Sequence, residues 1–373
     1  MARRLLVDVH THVYLPRYVS LLRARVDLPR IFTRTVDGKD DDRLVILHDE
    51  PAHGRPVGPQ YWNRDAKLEF MDKHGIECSV ISSANPWLDF LSANEAFSAA
   101  QALNEDLEEY CASGPSVSSA PELQRFHGLG LLPLVSGISV GKIVDIVKQI
   151  KSLPHLRGVI LGTKGIGNGL DDPELDEFWV AMEESKLVAF IHPHYGLPKD
   201  LWGNEQSHVL PLALGFPVET TICVTRLILA GVLDRHPHLR LLLAHSGGAL
   251  PQLSSRLASC VAHDPAVASR LRHDPRAYLG MLWFDSVNYG SAELSFVADV
   301  IARGKRYLGE TNATGSDRLL WGTDHPFFPP LGTSKLWPSV VENLDSISEL
   351  KSWSDEQRNE VRGGNALRLF DLM

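Results

Sequence analysis

Cysteine is scarce in this chain, four among 373 residues, and no two of them form a C-x-x-C pair. Cys78, Cys111, Cys223 and Cys260 therefore support neither a disulfide framework nor a thiolate zinc knuckle. Blocks of one charge sign are missing too. The 37 Lys+Arg and 46 Asp+Glu, a formal charge of −9, are interspersed, which leaves no basic footprint for nucleic acid or an anionic membrane. No uninterrupted apolar run reaches bilayer-spanning length. Arg3 and Arg4 are followed by only Leu5-Leu6-Val7 before Asp8, so no signal peptide is read there. Internal repeats and low-complexity segments are absent. The expectation is a soluble, cytoplasmic protein with a small-molecule partner, acting on neither nucleic acid nor membrane.

What is present is an alternation of short apolar runs with longer amphipathic segments, the pattern of βα units. Eight such runs are Leu5–Val9, Cys78–Ser83, His127–Leu134, Gly158–Gly162, Val188–Ile191, Leu239–Ala244, Leu282–Asp285 and Leu319–Gly322. Helices are expected near Arg64–His74, Ala93–Cys111, Val140–Leu153, Leu175–Ser185, Glu219–Arg235, Leu250–Ala262 and Ala292–Ala302. Eight strands with intervening helices predict an α/β chain closed as a (β/α)8 TIM barrel, one domain over residues 1–373. An insertion rich in Arg, Asp and Pro occupies about 14–61, with a single strand-like run at Leu44–Leu47. Gly114–Pro121 reads as a loop, and Ser354–Leu372 as a terminal helix on the barrel exterior.

Histidine is abundant, with 16 copies, and two H-x-H pairs stand at strand ends. His10-Thr11-His12 follows the first run, and alternation along an extended chain turns both imidazoles to one side. Strand five ends in His192-Pro193-His194, strand six in His245-Ser246-Gly247-Gly248, and strand eight in Thr323-Asp324-His325-Pro326. The C-terminal ends of barrel strands converge on one rim, so these residues become neighbours. Imidazole nitrogens with one carboxylate suit a borderline divalent ion, zinc first, then manganese or iron. The expected ligands are His10, His12, His192 and Asp324. His245 is expected beside them, as a late ligand or as an acid/base and hydrogen-bond donor. His194 and His325 read equally well as structural, and His236 and His238 lie in a loop at the opposite end.

HTH, IHPH, AHSGG and GTDHPF, in that order along almost the whole chain, resemble the amidohydrolase superfamily, in particular its aminocarboxymuconate-semialdehyde-decarboxylase-like branch. That resemblance implies a distorted, amidohydrolase-type barrel with one zinc ion per chain, no organic cofactor, and nonoxidative decarboxylation. The segments Ser83–Leu91, His192–Pro198, His208–Thr221 and Gly322–Pro330 look more closely like the fungal isoorotate decarboxylases, which convert uracil-5-carboxylate to uracil and CO2. From this likeness Arg55 would grip a substrate oxygen, Asn85 would read the ring edge, and Phe216 with Phe327 would sandwich the ring. Arg256 matches an arginine that reaches a neighbouring subunit's site, which implies a homodimer. Some amidohydrolases bridge two metals with a carbamylated strand-four lysine. Lys164 stands beyond the strand in a glycine-rich loop and is read as solvated. No G-K-[ST] follows, so the glycines form no phosphate loop.

Loss of CO2 from an sp2 ring carbon would leave an unstabilised carbanion, so that carbon has to receive a proton. Asp324 is the expected donor, with His245 stabilising the charge that results or holding the metal-bound water; attack on the ring by a metal-bound hydroxide or a carboxylate oxygen is the alternative route. A carboxylate beside a dication has a depressed pKa, which opposes an acid role in the resting state. The same barrel and ligands serve hydrolysis equally well. Decarboxylation of a salicylate, resorcylate or muconate semialdehyde is the nearer alternative.

Overall fold

The computed structural model describes residues 5–48, 50, 53–204 and 207–373. Eight parallel strands pair in chain order: β1 (Val7–Val13), β2 (Cys78–Ser83), β3 (Phe126–Gly130), β4 (Leu156–Gly162), β5 (Val188–His192), β6 (Arg240–Leu243), β7 (Trp283–Asp285) and β8 (Leu319–Leu320). Closure comes from the segment after β8. Thr11 bridges His325 in parallel, Val9 N donates to Trp321 O at 3.1 Å, and Asp324 N donates to His10 O at 2.7 Å. The expected (β/α)8 barrel is therefore the observed architecture.

Each expected apolar run coincides with a strand, but the ends differ for physical reasons. β1 runs on to Val13 with every residue buried, because neighbours on both sides take up its backbone groups; the H-T-H triplet thus lies inside the strand. β3 stops at Gly130 instead of Leu134, where Asn104 brackets Leu131 by accepting from its N–H (2.7 Å) and donating to its carbonyl (3.0 Å). The helix expected over Glu219–Arg235 is two, Phe216–Leu229 and Val232–Arg235. They are separated by Gly231 at φ 68°, a left-handed turn that glycine adopts without steric cost.

The insertion holds more structure than one strand-like run. Helix Pro16–Arg23 precedes a three-stranded antiparallel sheet, Arg30–Val36, Lys39–Val45 and Arg55–Pro56. Gly114–Pro121 is not a plain loop, since Ser116–Val117 pairs with Ala120–Gln124 as a hairpin. The C-terminal tail forms consecutive helical segments over Asp355–Leu369. It is tied to the barrel where Trp321 N donates to Val361 O at 2.9 Å.

One helix bears on the expectation about apolar runs, which holds as made. Counted across its π-turn, Pro211–Leu229 is a 19-residue helix of mean hydropathy 1.5, long and apolar enough to cross a membrane by length and composition. Its apolar run is not continuous, because Glu219 and Arg226 interrupt it. Both are engaged with the barrel's loops: Glu219 Oε2 accepts from Gly196 N at 2.6 Å, and Arg226 pairs with Asp171 at 2.8 Å.

Candidate metal centre

His10 and His12 project from β1, His192 ends β5, and Asp324 follows β8. One donor atom from each lies within 4.8 Å of the others, and all four residues are buried. Asp324 Oδ1 is 3.4 Å from His10 Nε2 and 3.5 Å from His12 Nε2. Around an ion with bonds of about 2.0–2.1 Å, neighbouring donor atoms stand roughly 3.3 Å apart, so these spacings fit a shared cation.

The far side of each ring is tied down. His10 Nδ1 donates to Asp285 Oδ2 at 2.6 Å, His12 Nδ1 meets Ser82 Oγ at 3.0 Å, and His192 Nδ1 donates to Pro193 O at 2.8 Å. With Nδ1 protonated, each Nε2 carries its lone pair toward the centre. Those three Nε2 atoms are buried and have no hydrogen-bond partner among the described residues. Buried nitrogens left open this way cost free energy unless something coordinates them. Outer partners that fix tautomer and ring plane are the usual support of a histidine metal site.

Electrostatics point the same way. Burial opposes charge on every member, and the neighbours then decide. For Asp324, the nearby imidazoles of His10, His12 and His245 outweigh burial and hold it well below the carboxylate range. Burial and the adjacent imidazoles hold His192 well below the usual histidine range, and burial takes His12 down to about 4. For His10, Asp324 and Asp285 overcome burial and push it up to about 10, so its Nε2 offers a lone pair only where a metal ion takes the place of the proton. Two carboxylates facing one cluster of imidazoles favour a cation at its centre.

His245 sits at the edge of this group, its Nε2 3.8 Å from Asp324 Oδ2 and its ring 5.1 Å from His10 and 5.3 Å from His192. His245, Ser246 and Asp324 all have positive φ, 53°, 53° and 56°. Such backbone is held only when surrounding bonds over-determine it. Asp285 supplies them for the first two, accepting from His245 N (3.0 Å) and Ser246 N (2.8 Å).

Phe216 flanks His192 and His245, with ring centroids 6.5 and 6.4 Å away, while Phe327 lies 5.8 Å from His12. The two rings thus border the cluster from different sides. Arg55 lies over Phe327 at 5.7 Å. Asn85 is buried, and its Nδ2 donates to His194 O at 2.5 Å. Arg256 is not brought to this group. It is exposed on helix Leu250–Ala262, and no contact joins it to the histidines among the described residues.

The remaining histidines go elsewhere. His194 turns its Nε2 to Asp89 Oδ2 at 3.3 Å, and Lys164, largely exposed, approaches the same oxygen at 3.4 Å. His325 stacks on Phe70 at 3.7 Å. His236 pairs with Asp176 at 3.2 Å, and His238 N donates to Glu183 at 2.6 Å. Asp285 and Ser82 were not anticipated. An acid closing the seventh strand-like run was a signal for Asp285, whereas a serine within a strand carries none.

The amidohydrolase family profile matches residues 123–372. The 2-amino-3-carboxymuconate-6-semialdehyde decarboxylase of Dictyostelium discoideum is 26% identical over 99% of this chain and 92% of its own. The crystal structure of Metarhizium anisopliae IDCase in apo form is 37% identical, with TM-score 0.86, covering 99% of this chain and 97% of that one. A dihydroxybenzoic acid decarboxylase from Polaromonas, solved with bound manganese and 2-nitroresorcinol, shares the fold at 20% identity and TM-score 0.69, covering 99% and 97%.

Proposed function

Because the chain belongs to the amidohydrolase family, we propose that its four-donor centre serves a metal-dependent, nonoxidative decarboxylase, with isoorotate as substrate, giving uracil and CO2. The observation that carries the metal reading is the set of three buried, unpartnered Nε2 atoms facing Asp324. Decarboxylation is supported by the decarboxylase relatives, and isoorotate by the 37% identity to IDCase, an isoorotate decarboxylase.

His10, His12, His192 and Asp324 would hold the ion, zinc in our reading, one per chain and without an organic cofactor. When bound, it supplies a Lewis acid that neutralises and orients anionic oxygens. The chain's own residues do the rest. Phe216 and Phe327 bracket a flat ring, Arg55 grips an oxygen at its edge, and Asn85, with its Nδ2 committed to His194, reads the edge through Oδ1. Decarboxylation consumes one proton at the ring carbon. His245 Nε2 and Asp324 Oδ2, 3.8 Å apart, form the pair that holds and delivers it. Asp324 is the donor, and His245 replenishes it and balances the charge. The low resting pKa of Asp324 requires that its proton arrive with substrate bound.

We also infer a homodimer in which Arg256 serves the partner's site. Leu253, three residues earlier on its helix, and Ile222 on the neighbouring helix are 45% and 48% exposed. Leu253, one helical turn from Arg256, thus offers apolar area on the helix face that carries the guanidinium, as an interface core would have.

Metal analysis followed by a panel of ring acids tests the reading. About one zinc per chain and stoichiometric uracil and CO2 from isoorotate are expected. Turnover of a resorcylate or salicylate in its place would replace the substrate, and water addition without CO2 would replace the reaction class. Recovery of full activity with manganese but not zinc would replace the metal.

A further inference from the structure

Lys67 is 1% exposed. It lies on helix Arg64–His74, whose N-terminus is capped by Asn63 accepting from Asp65 N and Ala66 N. A fully buried ammonium requires several partners to offset its lost hydration, and its partners here are specific. Lys67 Nζ donates to Thr11 Oγ1, and it meets His325 Nδ1 at 2.9 Å. Asp8, also fully buried, is close enough to attract it.

These partners stand at the seam of the barrel. Thr11 and His325 bridge β1 to the segment after β8, and Thr11 Oγ1 also donates to His325 O at 3.2 Å. Thr11 separates His10 from His12, and His325 follows Asp324. Alternation puts Thr11 on the face opposite the two imidazoles. On that face His325 is held between Phe70 at 3.7 Å and Trp337 at 4.5 Å. Asp8 extends the same seam, accepting from Thr323 Oγ1 at 2.7 Å and Thr323 N at 3.0 Å.

We propose that Lys67 is a positioning residue for the metal centre: its ammonium clamps Thr11 to His325 from behind the wall and so sets the spacing of His10 and His12 against Asp324. Three of the four donors hang on the two backbone segments that this one group joins. Asp324 has φ 56°, a conformation that a single-residue slip of the loop would release. No other cation contacts the Thr11–His325 bridge among the described residues.

The inference rests on the metal reading of the four-donor group, and cobalt(II) tests both separately. Chelated protein is titrated with Co2+, whose visible absorption reports coordination geometry, and turnover is measured alongside. Lys67→Met keeps the length of the side chain and removes its donors. It is expected to bind Co2+ about ten- to a hundredfold more weakly, with a displaced visible band and a kcat at least about tenfold lower while KM changes less than about threefold. Should that variant fail to fold, Thr11→Val removes one clamp bond while leaving the lysine. It is expected to shift the band in the same direction by less, and Thr11→Ser to restore it. A folded Lys67→Met or Thr11→Val protein with wild-type Co2+ affinity and spectrum overturns the clamp alone. A wild-type protein that takes up no Co2+ overturns the metal reading and the clamp together.

Discussion

His10 Nδ1 lies 2.6 Å from Oδ2 of Asp285, and that carboxylate also accepts the backbone N–H groups of His245, Ser246 and Val287. One acid therefore orients a metal-facing imidazole and holds the strained turn that presents His245. Asp285→Asn preserves shape but replaces one acceptor oxygen with an NH2 group, which sets donors against donors at two of the four bonds. Metal affinity is expected to fall about ten- to a hundredfold, measured by titrating chelated protein. An unchanged affinity would show that Asp285 supports only the fold.

Asp324→Asn, assayed with saturating metal, is expected to lower kcat about a thousandfold, within the range of a lost general acid. Binding of the ring acid should weaken less than about tenfold, since Phe216, Phe327 and Arg55 remain. Calorimetry with isoorotate beside single-turnover kinetics separates the two effects. An active Asn variant would remove Asp324 from the proton-donor role.

Shared sites in a dimer predict complementation. Arg256→Ala and Asp324→Asn homodimers are each expected to be inactive. When the two are unfolded together and refolded, the mixed dimer has one site carrying both changes and one carrying neither. Activity should therefore reappear, at roughly a quarter of wild type for random pairing into twofold dimers. No recovery, or a fully active monomer by sedimentation, contradicts a shared site.

Acid stability offers a test remote from the metal centre. His127 on β3 is buried, and neither ring nitrogen is hydrogen-bonded among the described residues. Burial, aided by Arg157 and His155, pushes its pKa from the ordinary 6.5 down to about 3. Between those values the unfolded chain binds a proton that the folded one refuses. Its contribution is thus complete above pH 6.5 and is lost as pH falls toward 3, by at most roughly 1.4 kcal/mol per pH unit. His127→Leu is expected to flatten the fall in denaturant midpoint between pH 6 and 4. An unchanged slope would assign acid sensitivity to other groups.

Much of the barrel and its metal donors was legible because the signals are local. Apolar runs mark the eight strands, and a histidine or aspartate at a strand's C-terminal end reaches the rim whatever the helices between do. Strand ends were less legible. The polar H-T-H triplet reads as the close of β1, yet it is paired on both sides and wholly buried, because barrel closure supplies backbone partners that no local pattern announces.

By itself, then, the sequence determined which side chains can meet a cation, since strand alternation and shared rim position follow from chain order. Only the tertiary structure decided what holds them. Asp285 stands 275 residues from His10, and Lys67 stands 258 from His325, separations at which spacing carries no information. The closed barrel also sent His194 to Asp89 and His325 to the seam, dividing adjacent or near-adjacent histidines between the metal and the wall. That division depends on which face of a finished wall each residue occupies, and a face exists only once the strands have closed.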